Sequence, residues 1–121
     1  MSLERVRKAV LVLIGLLYCA GLYPLASILW NRDVPGYTDA MMMSLYATLG
    51  VFLLLSVRNP AVNRNLIAYA GWANLAHAAT MTFMVFLPPR IHEHLTGVIL
   101  YTVLGLVLLL IVPPKPTATA S

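Results

Sequence analysis

The sequence predicts an all-α integral membrane protein, a bundle of four transmembrane helices arranged as two hairpins. Hydrophobic residues make up 60% of its 121 residues and charged residues only 10%, whereas soluble domains hold about 45–50% and 25%. Four apolar stretches of 18 to 22 residues contain no Lys, Arg, Asp or Glu. At about 1.5 Å of helical rise per residue, each can cross the hydrocarbon core of a bilayer. The predicted helices are Ala9–Trp30, Ala40–Val57, Leu66–Leu87 and Leu95–Val112.

The residues between these stretches are those that end and begin helices. Pro35 and Gly36 predict a turn after the first helix, and Thr38 or Asp39 can cap the second by accepting backbone N–H bonds. We predict a single domain over residues 1–121 with a mobile tail at 113–121. The other boundary residues are Asn59 and Pro60 after the second helix, Asn63 or Asn65 before the third, Pro88 and Pro89 after it, and Pro113, Pro114 and Pro116 after the fourth.

The charged residues predict the orientation of the helices. If four helices alternate in direction, six basic residues fall on one side of the membrane and two on the other, together with three of the four acidic residues. The positive-inside rule then places both termini and the middle loop in the cytoplasm. The six are Arg5, Arg7, Lys8, Arg58, Arg64 and Lys115, and the two are Arg32 and Arg90.

Composition also excludes several classes. The net charge of +4 would suit a nucleic-acid partner, but the basic residues are scattered over termini and loops, so none is expected. The single Cys19 excludes an intramolecular disulfide and a cysteine metal cluster. Basic residues before the first stretch resemble a signal peptide, but its apolar run continues to Trp30, beyond an h-region of about 7–15 residues. We therefore expect a retained signal anchor.

The second and fourth predicted helices repeat one another. Eight residues recur 55 positions later, and the Tyr and Gly matches are the informative ones because leucine is common in membrane helices. The pattern is open to duplication or to compositional chance, since the first and third helices show no comparable match. Gly97, Tyr101 and Gly105 form one stripe, which we interpret as a packing seam. The matches pair Leu45, Tyr46, Leu49, Gly50, Leu53, Leu54, Leu55 and Val57 with Leu100, Tyr101, Leu104, Gly105, Leu108, Leu109, Leu110 and Val112.

His77, at the midpoint of the third helix, is the residue that sequence analysis singles out. Its face carries Leu66, Ala70, Ala73, Asn74, Thr80, Met81 and Met84, whereas Trp72, Leu75, Ala79, Thr82 and Phe86 lie opposite. Small and polar residues favour the bundle interior, so we expect His77 to point inward. Asn74 can hydrogen-bond the imidazole or help to bind its ligand. The candidate binding residues are His77, Asn74, Tyr18, Tyr46 and Tyr101.

Three interpretations of His77 stay open. It can be a structural imidazole that contacts one of the three candidate tyrosines, since buried polar groups in lipid need partners. It can bind the metal of haem or of a chlorophyll-type pigment, and Ala73 to His77 reproduces an Ala-x-x-x-His spacing of bacterial antenna polypeptides. It can also relay protons or bind substrate in a small transporter.

A second group of ionisable residues, His92, Glu93 and His94, precedes the fourth helix. Two histidines and a carboxylate suit a divalent metal, but residues two apart on a helix point to different faces. We therefore interpret the group as a solvated helix cap and predict no metal site. The chain contains no phosphate loop, nucleophile elbow or HExxH motif, so we expect no enzymatic activity.

The stretch Ser56–Met81 combines an Arg-Asn-Pro turn, a second Arg, and a helix that bears Trp and then His after a small residue. It resembles small, functionally uncharacterised bacterial inner-membrane proteins of four helices that are loosely DoxX-like. This resemblance implies a multi-pass bundle of the bacterial inner membrane and transfers no catalytic residues.

The sequence favours a non-enzymatic multi-pass membrane protein that is a homo-oligomer or an accessory subunit of a larger complex. Four short helices offer packing surfaces but little room for a site. The first alternative is a redox subunit that binds haem, pigment or quinone through His77 and Asn74. The second is a small transporter built from the two hairpins.

Overall fold

A computed structural model describes residues 2–86 and 94–115, without the side chain of His94. These residues form five α-helices and one 3₁₀ turn, and none of them is in a β-strand, so the all-α prediction is confirmed. The helices are α1 (Leu3–Ala20), α2 (Leu22–Trp30), α3 (Tyr37–Ser56), α4 (Arg64–Phe86) and α5 (His94–Leu110), with the 3₁₀ turn at Val34–Gly36.

The chain folds as two compact units, Met1–Asn59 and Pro60–Ser121. The first unit contains α1, α2 and α3, and the second contains α4 and α5. In the first unit α3 packs back against α1 and α2, and in the second unit α5 packs back against α4, so that each unit is a helical hairpin. That both units belong to one domain stays a prediction.

The first apolar stretch was predicted as one helix, Ala9–Trp30, but the structure has two helices there, α1 and α2. Helix α1 begins earlier, at Leu3, because the Ser2 side chain accepts a hydrogen bond of 3.2 Å from the backbone N–H of Arg5. The helical path is interrupted at Gly21, between α1 and α2. Pro24 explains the break, since a proline three residues on has no N–H to donate to Ala20 and its ring crowds that carbonyl.

The connection from α2 to α3 is short and tightly turned. Arg32 adopts a left-handed backbone conformation with φ of 51°, and the amide of Asp33 donates to the carbonyl of Ile28 at 3.0 Å. Helix α3 then begins at Tyr37, so the prediction that Thr38 or Asp39 is its N-cap is wrong. Gly36 holds the cap position, and Asp39 instead lies in the first turn, where its charge suits the helix dipole.

Helices α1 and α3 of the first unit pack together along a seam, a contact surface with small residues at its centre. Gly15 of α1 and Gly50 of α3 lie at its centre, and side chains above and below them are buried between the two helices. Small residues allow the helix backbones to approach closely, which brings many atoms into van der Waals contact. The buried residues of the seam are Leu11, Ile14, Gly15 and Tyr18 on α1 and Ala47, Gly50, Leu53 and Ser56 on α3.

The second unit has the same plan. Helix α4 begins at Arg64, directly after the predicted start residue Asn63, whose carbonyl accepts from the amide of Ile67 at 3.1 Å. Helix α5 ends at Leu110 rather than at the predicted Val112. Gly71 and Gly105 occupy the centre of the contact. The buried residues are Ile67, Ala70, Gly71, Asn74, Ala78 and Val85 on α4, and Gly105 and Leu108 on α5.

Two segments of the described chain are long and apolar enough to cross a membrane, Leu3–Trp30 and Val34–Ser56. Their mean hydropathies are 2.1 and 1.5. The apolar helix Leu95–Leu110 is shorter. The core helix of a soluble protein or a signal sequence can have the same length and apolar composition. The bundle of four crossings stays a prediction.

Candidate functional site

His77 of α4 stacks on Tyr101 of α5. The ring centroids lie 4.1 Å apart and the ring planes are inclined by 29°, which is a stacked arrangement. The histidine is half-buried at the margin of the contact between the two helices. Of the three tyrosines predicted as partners, Tyr101 therefore contacts the imidazole. The stack covers one face of the imidazole ring with an aromatic side chain of the same hairpin.

Asn74 lies one turn before His77 and is fully buried, with 0% of its surface exposed. Its side-chain Nδ2 donates to the backbone carbonyl of Ala70 at 2.6 Å. The sequence predicted a hydrogen bond to the imidazole or to a ligand of it. That contact stays a prediction. The observed bond uses one amide N–H within α4 and satisfies a polar group that the apolar interior would otherwise penalise.

The other two candidate residues, Tyr18 of α1 and Tyr46 of α3, pair with each other. Their ring centroids lie 5.1 Å apart with an interplanar angle of 70°, an edge-to-face geometry. Aromatic pairs of this type contribute about 0.5–1.5 kcal/mol beyond the burial of their area. Each unit therefore contains one contact between an aromatic ring of its first long helix and a tyrosine of its last.

The predicted orientation of α4 is right at several positions and wrong at others. Thr80 and Met84, which the sequence places on the face of His77, are exposed. Ala70 and Asn74 are buried as expected, and Trp72 and Phe86 are exposed as expected. Leu75 was placed on the outer face, but its side chain covers Gly105 of α5 and is half-buried. The cause is the missing side chain at Gly105, which leaves space that a flanking leucine fills.

Four glycines bring the helices of each unit into close contact. A Cβ atom built on Gly50 would lie 2.7 Å from the carbonyl oxygen of Gly15 and 2.8 Å from the Cβ of Tyr18. A Cβ atom built on Gly105 would lie 2.9 Å from the carbonyl oxygen of Gly71. Since these contacts involve backbone, a larger residue at either position would force the helices apart. Gly15 and Gly71 were not predicted as contact residues.

The two units repeat this arrangement in matching positions. Leu54 covers Gly15 in the first unit, and Leu109 covers Gly71 in the second, each with Cγ 2.8 Å from the position of a built Cβ. Leu54 and Leu109, like Gly50 and Gly105, are 55 positions apart. The geometry of α3 and α5 follows the period of 55, and the same close contact occurs at Gly15 of α1 and Gly71 of α4, which are 56 positions apart.

Each unit also contains a surface cavity. One in the first unit, of about 370 Å³, is apolar and lies between α2 and α3. One in the second unit, of about 490 Å³, lies where α4 begins and the segment after α5 passes, and it is lined by Ala61, Val62, Arg64, Asn65 and Lys115. In the sequence, Arg64 and Lys115 were interpreted only as topology signals. Arg64 begins the first helix of the predicted hairpin and Lys115 follows its second helix, so the hairpin itself brings the two residues to the same end.

The His92–His94 group lies outside the described residues, apart from the backbone of His94. Within residues 2–86 and 94–115, no three His, Cys, Asp or Glu side chains come together as a metal site would require. The part of the predicted tail after Lys115 also lies outside the described chain.

Comparison with known proteins gives one match. Neither a curated protein nor a solved structure matches the chain. A family model described as Family of unknown function (DUF6632) matches residues 2–117. The resemblance to DoxX-like bacterial proteins stays a prediction. Because the match covers nearly the whole length, the chain belongs to the DUF6632 family of unknown function.

Proposed function

We propose that this chain is a non-enzymatic, multi-pass membrane protein that crosses the bilayer four times and acts as a homo-oligomer or as an accessory subunit of a larger membrane complex. The observation that carries the membrane part is the low burial of its most apolar helices. In each of the spans Leu3–Trp30 and Val34–Ser56, only 22% of an apolar stretch of 18 residues is buried. A core helix of a soluble protein is mostly buried, so lipid is the environment that suits these faces.

Exposed large side chains give the same indication across both units. Trp30 is 89% exposed and Leu110 is 83% exposed. Four aromatic residues that lie within about two turns of the ends of the apolar stretches, Trp30, Tyr37, Tyr69 and Trp72, are exposed, and amphipathic rings suit the headgroup region. A soluble protein of this size would bury much of this apolar area.

The polar side chains within the helices support the same environment. Six of them donate a hydroxyl or amide hydrogen to a backbone carbonyl three or four residues earlier in the same helix, which satisfies that donor without water. Such bonds allow Thr80 of α4 to face outward in lipid without an unpaired donor. The bonds run from Ser44 to Met41, Thr48 to Ser44, Ser56 to Leu53, Asn74 to Ala70, Thr80 to Ala76 and Thr82 to Ala78, at 2.6–3.0 Å.

The non-enzymatic part of the proposal rests on how the seams are filled. Small and aliphatic residues and the ring of Tyr18 occupy them, and the buried side chains of Ser56 and Asn74 bond to their own helices. The His77–Tyr101 stack favours a structural histidine, because it gives the imidazole a contact inside the hairpin. The stripe of Gly97, Tyr101 and Gly105 is also used within the hairpin, as the sequence predicted for a packing seam.

Membrane insertion and orientation are tested with reporters. Alkaline carbonate should leave the full chain in the membrane fraction. Fusions of a periplasm-active and a cytoplasm-active reporter after Ser121, and insertions near Asp33 and Asn59, should report cytoplasm at Ser121 and Asn59 and periplasm at Asp33. Extraction by carbonate, or the two ends of the chain in different compartments, would contradict the proposed topology.

The proposed oligomer or complex is tested by measuring the molecular mass of the purified protein. In detergent, light scattering on the purified full chain should give a multiple of 13.3 kDa, or one chain with stoichiometric companion polypeptides. A 13.3 kDa monomer without companions, in detergent and in nanodiscs alike, would refute the assembly role.

The redox alternative has its own test. If His77 binds haem or a chlorophyll-type pigment, the purified protein should show a Soret or chlorin absorption band that disappears in His77→Ala. Colourless, folded protein from cells that make both cofactors would remove this alternative. For the transporter alternative, oligomer structures without a water-filled cavity beside His77 would count decisively against it.

A further inference from the structure

The strongest unexplained feature is the cavity in the second unit, at the end of the hairpin where α4 begins. It is an open depression of about 490 Å³ on the surface of the unit, so it can hold one face or one headgroup of a ligand. Three of its five lining residues, Arg64, Asn65 and Lys115, carry hydrogen-bond donors, and the other two, Ala61 and Val62, are apolar. The cavity therefore combines positive charge with a hydrophobic margin.

The arginine is held in position by the backbone. Its Nε donates to the carbonyl oxygen of Pro113 at 3.1 Å, which ties the start of α4 to the segment after α5. A guanidinium has five N–H donors, so this bond leaves four on the two terminal nitrogens. Such a fork matches the oxygens of a phosphate group, and Lys115 adds a second positive charge on the same cavity.

Within this unit the sequence supplies little negative charge to neutralise the cavity. Glu93 is the only acidic residue after residue 60, and it precedes α5, whereas Lys115 follows α5. The 17 residues of α5 separate the two ends by about 26 Å. The positive end of the α4 dipole lies at this end of the hairpin together with the negative end of the α5 dipole, so the side-chain cations set the sign of the local field. An anion is the ligand that this electrostatic field favours.

We infer that the cavity binds the phosphate of an anionic phospholipid headgroup. The inference rests on the proposed function, because the predicted topology places Arg64 and Lys115 at the cytoplasmic face of the bilayer, where basic pockets meet anionic lipids. Arg64 and Lys115 bind the phosphate, the Asn65 amide donates to a headgroup oxygen, and Val62, which is 72% exposed, lies against the glycerol and upper acyl region.

The test is native mass spectrometry of the full chain released from detergent micelles. Wild-type protein should retain phosphatidylglycerol in preference to phosphatidylcholine. The variant Arg64→Gln/Lys115→Gln should lose about 30-fold in apparent affinity for phosphatidylglycerol, at about fivefold per basic residue. The matched control Arg5→Gln/Lys8→Gln also removes two positive charges from the predicted cytoplasmic side, and it should keep the wild-type preference.

A single substitution serves as the control for a loss of folding. Lys115 is exposed and lies after α5, so Lys115→Gln should leave the unfolding midpoint unchanged and reduce retention of phosphatidylglycerol by about fivefold. Equal losses in the cavity variant and the control variant would overturn the inference. So would inorganic phosphate adducts that depend on Arg64 and Lys115 as strongly as the lipid adducts do, since the site would then bind free phosphate.

The two proposals fail in different ways. If the wild-type chain leaves the membrane in alkaline carbonate, the proposed function fails. If it stays in the membrane but retains phosphatidylglycerol and phosphatidylcholine equally, only the lipid site fails.

Discussion

The glycine seam of the second unit makes the sharpest stability prediction. In Gly105→Ala, the new methyl carbon would lie 2.9 Å from the carbonyl oxygen of Gly71 and 2.8 Å from Cγ of Leu75, whereas ordinary contacts are 3.4–4 Å. Backbone on the facing helix must therefore move by about half an ångström. Overpacking of this kind costs about 1–3 kcal/mol, partly offset by about 1 kcal/mol of higher helix propensity for alanine.

The same helix offers the control. In Gly97→Ala, the new methyl would meet only the flexible end of the Met81 side chain, which can rotate away. Gly97 lies in the first turn of α5, where alanine gains less helix propensity than at the interior Gly105, so a lower stability of Gly105→Ala would come from the seam. We expect Gly105→Ala to be less stable than Gly97→Ala by about 2 kcal/mol.

The assay is reversible unfolding of the full chain in mixed micelles, titrated with dodecyl sulfate and followed by the helical circular dichroism signal. If Gly105→Ala is as stable as Gly97→Ala, the two helices do not approach as closely as the seam requires, and the reasoning is refuted. Gly50→Ala extends the test to the first unit, where the built Cβ meets the carbonyl oxygen of Gly15.

The remaining predictions concern single contacts in the two units. A double-mutant cycle of His77→Ala and Tyr101→Ala should give a coupling of about 0.5–1.5 kcal/mol, and a coupling near zero would show that the stack does not stabilise the hairpin. Arg32→Gly should raise the free energy of unfolding by up to about 1 kcal/mol, because glycine adopts positive φ without the steric cost borne by arginine, while Arg32→Val should lower it; the reverse order would contradict the left-handed turn. Asn74→Ala should cost about 1–3 kcal/mol through the cavity it leaves, whereas Thr80→Ala on the exposed face should cost less than about 0.5 kcal/mol; equal effects would mean that Asn74 is not buried.

The helices were readable from the sequence because their signals are local. Apolar stretches without charge, bounded by Pro, Gly and Asn, placed most ends of α3, α4 and α5 within a few residues. The interruption at Gly21 was not predicted, although Pro24 signals it, because hydropathy alone treats the whole first stretch as one span. The start of α3 also moved, since the 3₁₀ turn leads directly into Tyr37.

The candidate site was readable only in part. His77 and Tyr101 were both singled out, but three tyrosines were equivalent in sequence, and the packing of α4 against α5 selected one. A role of Asn74 beside the imidazole or its ligand stays a prediction, and the bond from its amide N–H to the carbonyl of Ala70 was not predicted. Leu75 was assigned to the outer face because helical periodicity takes no account of the gap left by a glycine on the facing helix.

By itself, the sequence determined the all-α class and the position of the apolar segments, because helix formation and hydropathy depend on residues close together in the chain. It also predicted the repeat of α3 and α5. Only the tertiary structure decided that Gly15 of α1 meets Gly50 of α3 and that Gly71 of α4 meets Gly105 of α5. It also decided that Arg64 and Lys115 line one cavity. Such contacts depend on the distance between backbones far apart in sequence, and close packing of two helix surfaces sets that distance.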